Sequence, residues 1–170
     1  MADIILETPR LRLVTWEADD AGIIEALHSS IETTRYLSGA APWSRERAQE
    51  RLQNWLNEAK RDGTTKYKLL ARENGAFVGR AGFSLLGQTY ELGYSLGHEA
   101  WGKGYATEIA GALAHWFFEK GFSDRFIAFT HPDNTASKRV LTKIGMLPCA
   151  AVIIDDILCP TFEMRRQHQA

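Results

Sequence analysis

Gly97-His98-Glu99-Ala100-Trp101-Gly102-Lys103-Gly104-Tyr105-Ala106 is the stretch on which the fold turns. A strand pattern over residues 90–96 runs into it. Ala106, Ile109, Ala110, Leu113 and Phe117 leave it at helical spacing. Strand, glycine-rich loop and helix together make an anion site. Glycine lets backbone approach a ligand and take φ values that other residues avoid. The first amides of a helix have no internal acceptor, and the helix dipole adds positive charge there. A phosphate or pyrophosphate fits such a place. A P-loop needs Gly-Lys followed by Ser or Thr, whereas Lys103 is followed by Gly104 and Tyr105. A dinucleotide fold places its loop after the first strand of a βαβ unit, which is not the order here. A tight turn without ligand is the third reading that glycines alone leave open.

Working outward, residues 67–72, 76–85 and 90–96 read as three strands of an antiparallel meander. Glu73-Asn74-Gly75 and Gly87-Gln88 turn the chain between them. Upstream, Leu11-Arg12-Leu13-Val14 alternates as a first strand, and residues 20–27 and 31–37 read as helical. Ser44 caps a longer helix through Leu52, Trp55 and Leu56 that ends near Asp62-Gly63. Downstream, Gly121 stops the helix after the loop. Residues 126–129 form an apolar strand, and Asn134 caps a short helix closed by Gly145. Residues 150–154 and 161–165 read as a final antiparallel pair. This order predicts a mixed α/β (α+β) sheet with helices on both faces.

The 170 residues suit one domain, 1–170. Hydrophobic residues at 45% and charged residues at 24% match a soluble domain with a core. A formal net charge of −1 gives no long-range attraction to nucleic acid or to an anionic membrane. No stretch reaches transmembrane length, and Met1 to Glu7 lacks the pattern of a secretory leader. The expectation is a cytoplasmic protein, with Cys149 and Cys159 as thiols. No metal-ligand spacing is present.

Tyr94-Ser95-Leu96, Trp101 to Glu108, and Asn134-Thr135-Ala136-Ser137 through Met146 together resemble the GNAT superfamily of N-acetyltransferases. The likeness is greatest to its RimJ/RimL-type branch, whose best-known members acetylate the N-termini of ribosomal proteins. The opening Leu6-Glu7-Thr8-Pro9-Arg10-Leu11-Arg12-Leu13 and the ending Phe162 to Arg166 resemble that branch too. The family's Gln or Arg position falls on Trp101, and its glycine positions fall on Gly104 and Ala106. The resemblance implies a mostly antiparallel sheet splayed between the fourth and fifth strands counted above. It implies that acetyl-CoA is the co-substrate, with the pantetheine arm along Tyr94, Ser95 and Leu96. The pyrophosphate would lie on amides of the loop Trp101, Gly102, Lys103, Gly104, Tyr105 and Ala106. Asn134 resembles the family's side-chain contact to the arm, and is equally a helix cap.

Acetyl transfer to an amine needs a neutral nucleophile, donors for the developing oxyanion, and a proton for the leaving thiolate. Glu91 is the candidate base, because it shares a strand face with Gly93 and Ser95 beside the implied gap. Glu108 is expected to face solvent or another helix. Many family members carry a Tyr where this chain has Leu141. In the RimL-like branch a Ser takes that role, and Ser137 matches it. A backbone N–H near Ser95 or Leu96 would be the oxyanion donor by resemblance. His98 and His131 flank the site, whereas His115 lies mid-helix. The acceptor is a protein N-terminus or a small amine, in a pocket built by residues 31–43 and the final hairpin. Tyr36 and Trp43 are its candidate aromatic wall, or simply core. A non-catalytic acyl-CoA-binding or sensing module is the alternative. A homodimer is compatible with a single chain.

Overall fold

The computed structural model describes residues 1–37 and 40–167. Two short strands open it: β1 (Ile4–Glu7) and β2 (Leu11–Val14). Three helices follow: α1 (Ala21–Leu27), α2 (Ile31–Thr34) and α3 (Arg45–Asp62). The meander is β3 (Lys66–Ala71), β4 (Phe77–Leu86) and β5 (Thr89–Leu96). A single 3-10 turn, His98–Ala100, leads into α4 (Tyr105–Lys120). The chain ends with β6 (Arg125–Phe129), α5 (Thr135–Lys143), β7 (Leu147–Ile154) and β8 (Ile157–Arg165).

The eight strands form one sheet in the order β1-β2-β3-β4-β5-β6-β8-β7. Every neighbouring pair is antiparallel except β5 and β6, which run parallel. Strand side chains alternate between faces, and a core lies on each face of the sheet. Leu69, Ala81, Phe83 and Leu92 pack with Ile109, Leu113 and Phe117 of α4 and Leu141 of α5. Phe83, Phe117 and Phe126 form an aromatic triangle there, with ring centroids 4.5 to 5.0 Å apart. On the other face, α1 and α3 close a second core through Ile24, Ala48, Leu52 and Trp55, with Trp16 stacked on Trp55.

The structure differs from the sequence reading in three places. Ile4–Glu7 is a strand that the alternation did not reveal; it pairs antiparallel with β2 through a register shift. It raises the strand count by one, so the splay expected between a fourth and a fifth strand lies between β5 and β6. The final pair begins earlier, at Leu147 and Ile157, around Asp155 and Asp156 with φ of 48° and 64°. Such paired positive φ values suit a tight hairpin, but the usual Asn-Gly signature is absent. Helix α2 stops at Thr34 and does not reach Leu37.

Candidate active site

Strands β5 and β6 share one register pair, Glu91 with Ile127. Beyond it their C-terminal halves part. A helix follows each strand, α4 after β5 and α5 after β6, so both helix N-termini lie at the open end of the gap. Gly102 and Gly104 take φ of 73° and 80°, and Gly104 is the N-cap of α4. A Cβ at Gly102 would meet nothing within 4 Å, and one at Gly104 would meet only an Arg10 nitrogen at 3.4 Å. The cradle is therefore open in front of the unpaired first amides of α4. Trp101 spans its rim; the indole N–H donates to the Leu96 carbonyl at 3.0 Å. A groove of about 630 Å³ between α4 and α5 continues from it, lined by Thr107, Thr135, Lys138, Arg139 and Lys143. Its three cations suit phosphate.

The loop has a brace that sequence reasoning missed. Arg10 donates to the Lys103 carbonyl at 2.8 Å, pairs with Glu108 at 2.7 Å and lies 4.6 Å over the Tyr105 ring. Glu108 faces neither open solvent nor another helix, contrary to the expectation above: its carboxylate also accepts from Thr8 and from the Arg10 amide. Burial opposes its ionisation, but these hydrogen bonds outweigh that and hold the carboxyl below its ordinary range. Arg10→Ala should weaken acetyl-CoA binding about fivefold, roughly 1 kcal/mol of loop ordering, with little change in stability. Titration calorimetry beside urea unfolding checks both.

On the α4/α5 face of β5, the Tyr94 and Ser137 hydroxyls lie 2.9 Å apart. Burial pushes the Tyr94 phenol up to about 12, against the pull of the Ser137 bond, so it stays protonated at neutral pH. Asn134 caps α5, accepting from the Ser137 amide at 3.1 Å. Leu141 is sealed in the core, 1% exposed.

Glu91 and Ser95 point from the opposite face of the same strand. Lys66 starts on β3 opposite Gly82, and Gly82 lies opposite Gly93 on β5. Those two glycines leave a slot: a Cβ at Gly93 would lie 2.6 Å from the Lys66 Cε. Through it Lys66 crosses β4 and donates to Glu91 Oε1 at 2.6 Å, with side chains 7% and 16% exposed. Burial pushes the Lys66 ammonium below its ordinary value, and Glu91 opposes that shift.

Beneath α1 and α3 lies a second polar group. His28 is fully buried, its ring 3.8 Å from Trp43, and its Nε2 accepts from Arg80 Nε at 3.2 Å. Trp43 is thus core rather than pocket wall. Tyr36 is half-buried against His131, at 5.1 Å, beside the end of β6. His98 packs on Trp101, and His115 is exposed beside Glu119. Burial first, then Arg80, Arg51 and Arg47, push His28 down to about 2. Its folded pKa lies below its unfolded one, so the unfolded chain takes the proton first. Stability is therefore full above about pH 6.5 and falls as pH drops below it. Between pH 7 and 5.5 the loss should be about 1 kcal/mol by urea unfolding, and His28→Phe should remove that slope. An unchanged slope in the variant would assign it elsewhere.

The acetyltransferase (GNAT) domain model matches residues 10–147. YoaA of Bacillus subtilis, described as an uncharacterized N-acetyltransferase, is 31% identical over 144 residues, 83% of this chain and 81% of that protein. An acetyltransferase from Agrobacterium tumefaciens superposes with a TM-score of 0.84 at 22% identity, covering 96% of this chain and 95% of that one. RimL, a ribosomal L7/L12 alpha-N-protein acetyltransferase solved with coenzyme A, gives 0.81 at 16% identity, covering 96% and 98%.

Proposed function

This chain belongs to the GNAT acetyltransferase family, and from that premise we propose that it moves the acetyl group of acetyl-CoA to a primary amine by direct attack on the thioester. The observation that carries the reading is the two-sided strand β5. Glu91 stands on one face and the Tyr94–Ser137 hydroxyl pair on the other, where β5 and β6 part. Period-2 alternation makes this inevitable for an odd and an even residue of one strand. The acceptor then enters from the α1/α3 side and the thioester from the α4/α5 side, within one domain over residues 1–170.

The cofactor pyrophosphate lies on the amides of the loop from Trp101 to Ala106, and the adenosine phosphates on the cations of the α4/α5 groove. Tyr94, Ser95 and Leu96 line the pantetheine arm, with a backbone N–H near Ser95 or Leu96 facing the carbonyl oxygen. Asn134, already the cap of α5, faces the same arm through its amide. Glu91 takes a proton from the amine through Oε2, since Lys66 holds Oε1. As the C–N bond forms and the C–S bond breaks, the thiolate receives a proton or hydrogen bond from Ser137, backed by the Tyr94 phenol. That pair would serve in place of the Tyr that many relatives carry at the position of Leu141. The acceptor is a peptide N-terminus or a small amine.

Tyr94→Phe and Ser137→Ala should each lower kcat about 10- to 100-fold with acetyl-CoA affinity held within a few-fold. If the hydroxyls act as one relay, the double variant loses little more than the worse single one. Full additivity would separate them. The reading as a whole is tested by calorimetric titration with acetyl-CoA, then thiol release with a panel of amines and N-terminal peptides. Binding with release supports it. Binding without release from any acceptor would point to an acyl-CoA sensor, and no binding by folded protein would overturn it.

A further inference from the structure

Arg80, on β4, is a guanidinium only 7% exposed, with no carboxylate to pair it among the described residues. Its Nε–H goes to His28, and its guanidinium carbon lies 5.2 Å from the Trp55 ring centroid. Among the described residues its two Nη groups have no hydrogen-bond partner. A buried cation left so is costly, and the usual remedy is a charge-assisted pair. The surroundings deepen the need. Because His28 Nε2 accepts from Arg80, its proton sits on Nδ1, which is buried without a partner among the described residues. The Trp43 indole N–H beside it is likewise buried and, among the described residues, unpartnered. Arg47 and Arg51 lie 4.9 and 5.9 Å over the Trp43 ring. What Arg80, His28 and Trp43 lack among the described residues is an acceptor, and the arginines around them favour one with negative charge.

The nearby carboxylates are engaged elsewhere. Glu91 holds Lys66, Asp20 and Glu17 hold Lys68, and Glu25 pairs with Arg45. Glu58 is the exception: its Oε1 is buried without a hydrogen-bond partner among the described residues, but it makes no ion pair with Arg80. The place of Arg80 matters as much. It lies directly opposite Ser95 in the β4–β5 register, on the face that carries Glu91, and the Glu91 and Arg80 charges attract one another. Directly opposite residues in such a pair have Cβ atoms about 5 Å apart. Glu91 lies four residues from Ser95 along β5 on the same face, about 13 Å of strand that the two long side chains shorten, so a group bound at Arg80 is within a small molecule's reach of the base.

We propose that Arg80 binds a carboxylate of the acceptor through its two Nη groups, so that the amine acetylated belongs to a small carboxylate-bearing molecule of the amino-acid type. His28 is a positioning residue: it takes the Nε–H and leaves the Nη fork for the ligand. The Nδ1–H and Nε1–H dipoles of His28 and Trp43 add to the positive field. The inference rests on acetyl transfer at Glu91 for its consequence, but the binding site can be tested apart from it.

Two measurements on the full chain separate the two claims. In the first, α- and ω-amino acids and their matching amides are titrated into the protein by calorimetry without acetyl-CoA. The expected result is that at least one acid binds tenfold or more tighter than its amide, as loss of a charge-assisted pair implies. Arg80→Met should bring that ratio close to one, and Arg80→Lys, which keeps charge but not the fork, should fall between. No preference for any acid across the panel overturns the inference, and the wild-type comparison decides even if Arg80→Met fails to fold. In the second, thiol release is followed with the same panel and acetyl-CoA. An acid-over-amide ratio of tenfold or more in kcat/KM extends the site to catalysis. Equal rates overturn the inference and leave acetyl transfer standing. Acid binding without release from any amine upholds the carboxylate site and sinks the transfer reading.

Discussion

Gly104→Trp is expected to lower acetyl-CoA affinity at least about a hundredfold, the equivalent of two charge-assisted hydrogen bonds. Gly104 caps α4 in a left-handed conformation, φ 80°, and its Cβ direction opens onto the cradle with Arg10 alone nearby. An indole there fills the space over the first amides of α4. It also strains the backbone, since non-glycine residues avoid that region. The strain needs its own control, and the β4–β5 hairpin provides one. Gly87 has φ 63°, a Cβ added there would meet nothing within 4 Å, and it sits at the turn end of the hairpin, away from the loop. Gly87→Trp should carry similar strain and leave acetyl-CoA binding within twofold. If both variants bind alike, the loop does not hold the pyrophosphate.

Glu91→Gln is expected to lower kcat about 100- to 1,000-fold while acetyl-CoA affinity stays within twofold. The amide keeps the shape and loses the base. The remaining rate should then climb with pH until the acceptor amine itself is neutral, because the variant depends on amine that has already lost its proton. One side effect needs separating from catalysis. Lys66, 7% exposed, would keep a buried charge with no counterpart, and breaking such a pair costs about 3–5 kcal/mol. The double variant Lys66→Met/Glu91→Gln removes both charges and should recover much of that stability without recovering rate. A wild-type rate in folded Glu91→Gln across pH would remove Glu91 as the base.

Much of this architecture was legible along the chain because its signals are local. Gly102 and Gly104 announce the loop, helical spacing announces α4, and Asn134 announces the cap of α5, each within a few residues of what it specifies. The short β1 and the Asp155-Asp156 turn were not legible. Ile4–Glu7 is too brief for its alternation to stand out, and two aspartates at positive φ imitate no standard turn pair. The resemblance supplied Ser137, and β5 alternation placed Glu91 on a face. Neither told which groups would meet them.

Those meetings depend on register and on contacts far apart in sequence. Lys66 reaches Glu91 across 25 positions only because Gly82 falls opposite Lys66 in the β3–β4 pair and opposite Gly93 in the β4–β5 pair. Tyr94 meets Ser137 across 43 positions because β5 and α5 flank one gap. Arg10 reaches Glu108 across 98 positions because Leu11 and Leu13, which follow it on β2, pack in the same core as α4. Arg80 finds His28 across 52 positions, and no carboxylate among the described residues. Propensity, capping and glycine conformation act over a few residues, so most elements, their order and the glycine loop before α4 could be read along the chain. The partner of each charge could not, because strand register and helix docking set it, and no local pattern encodes either.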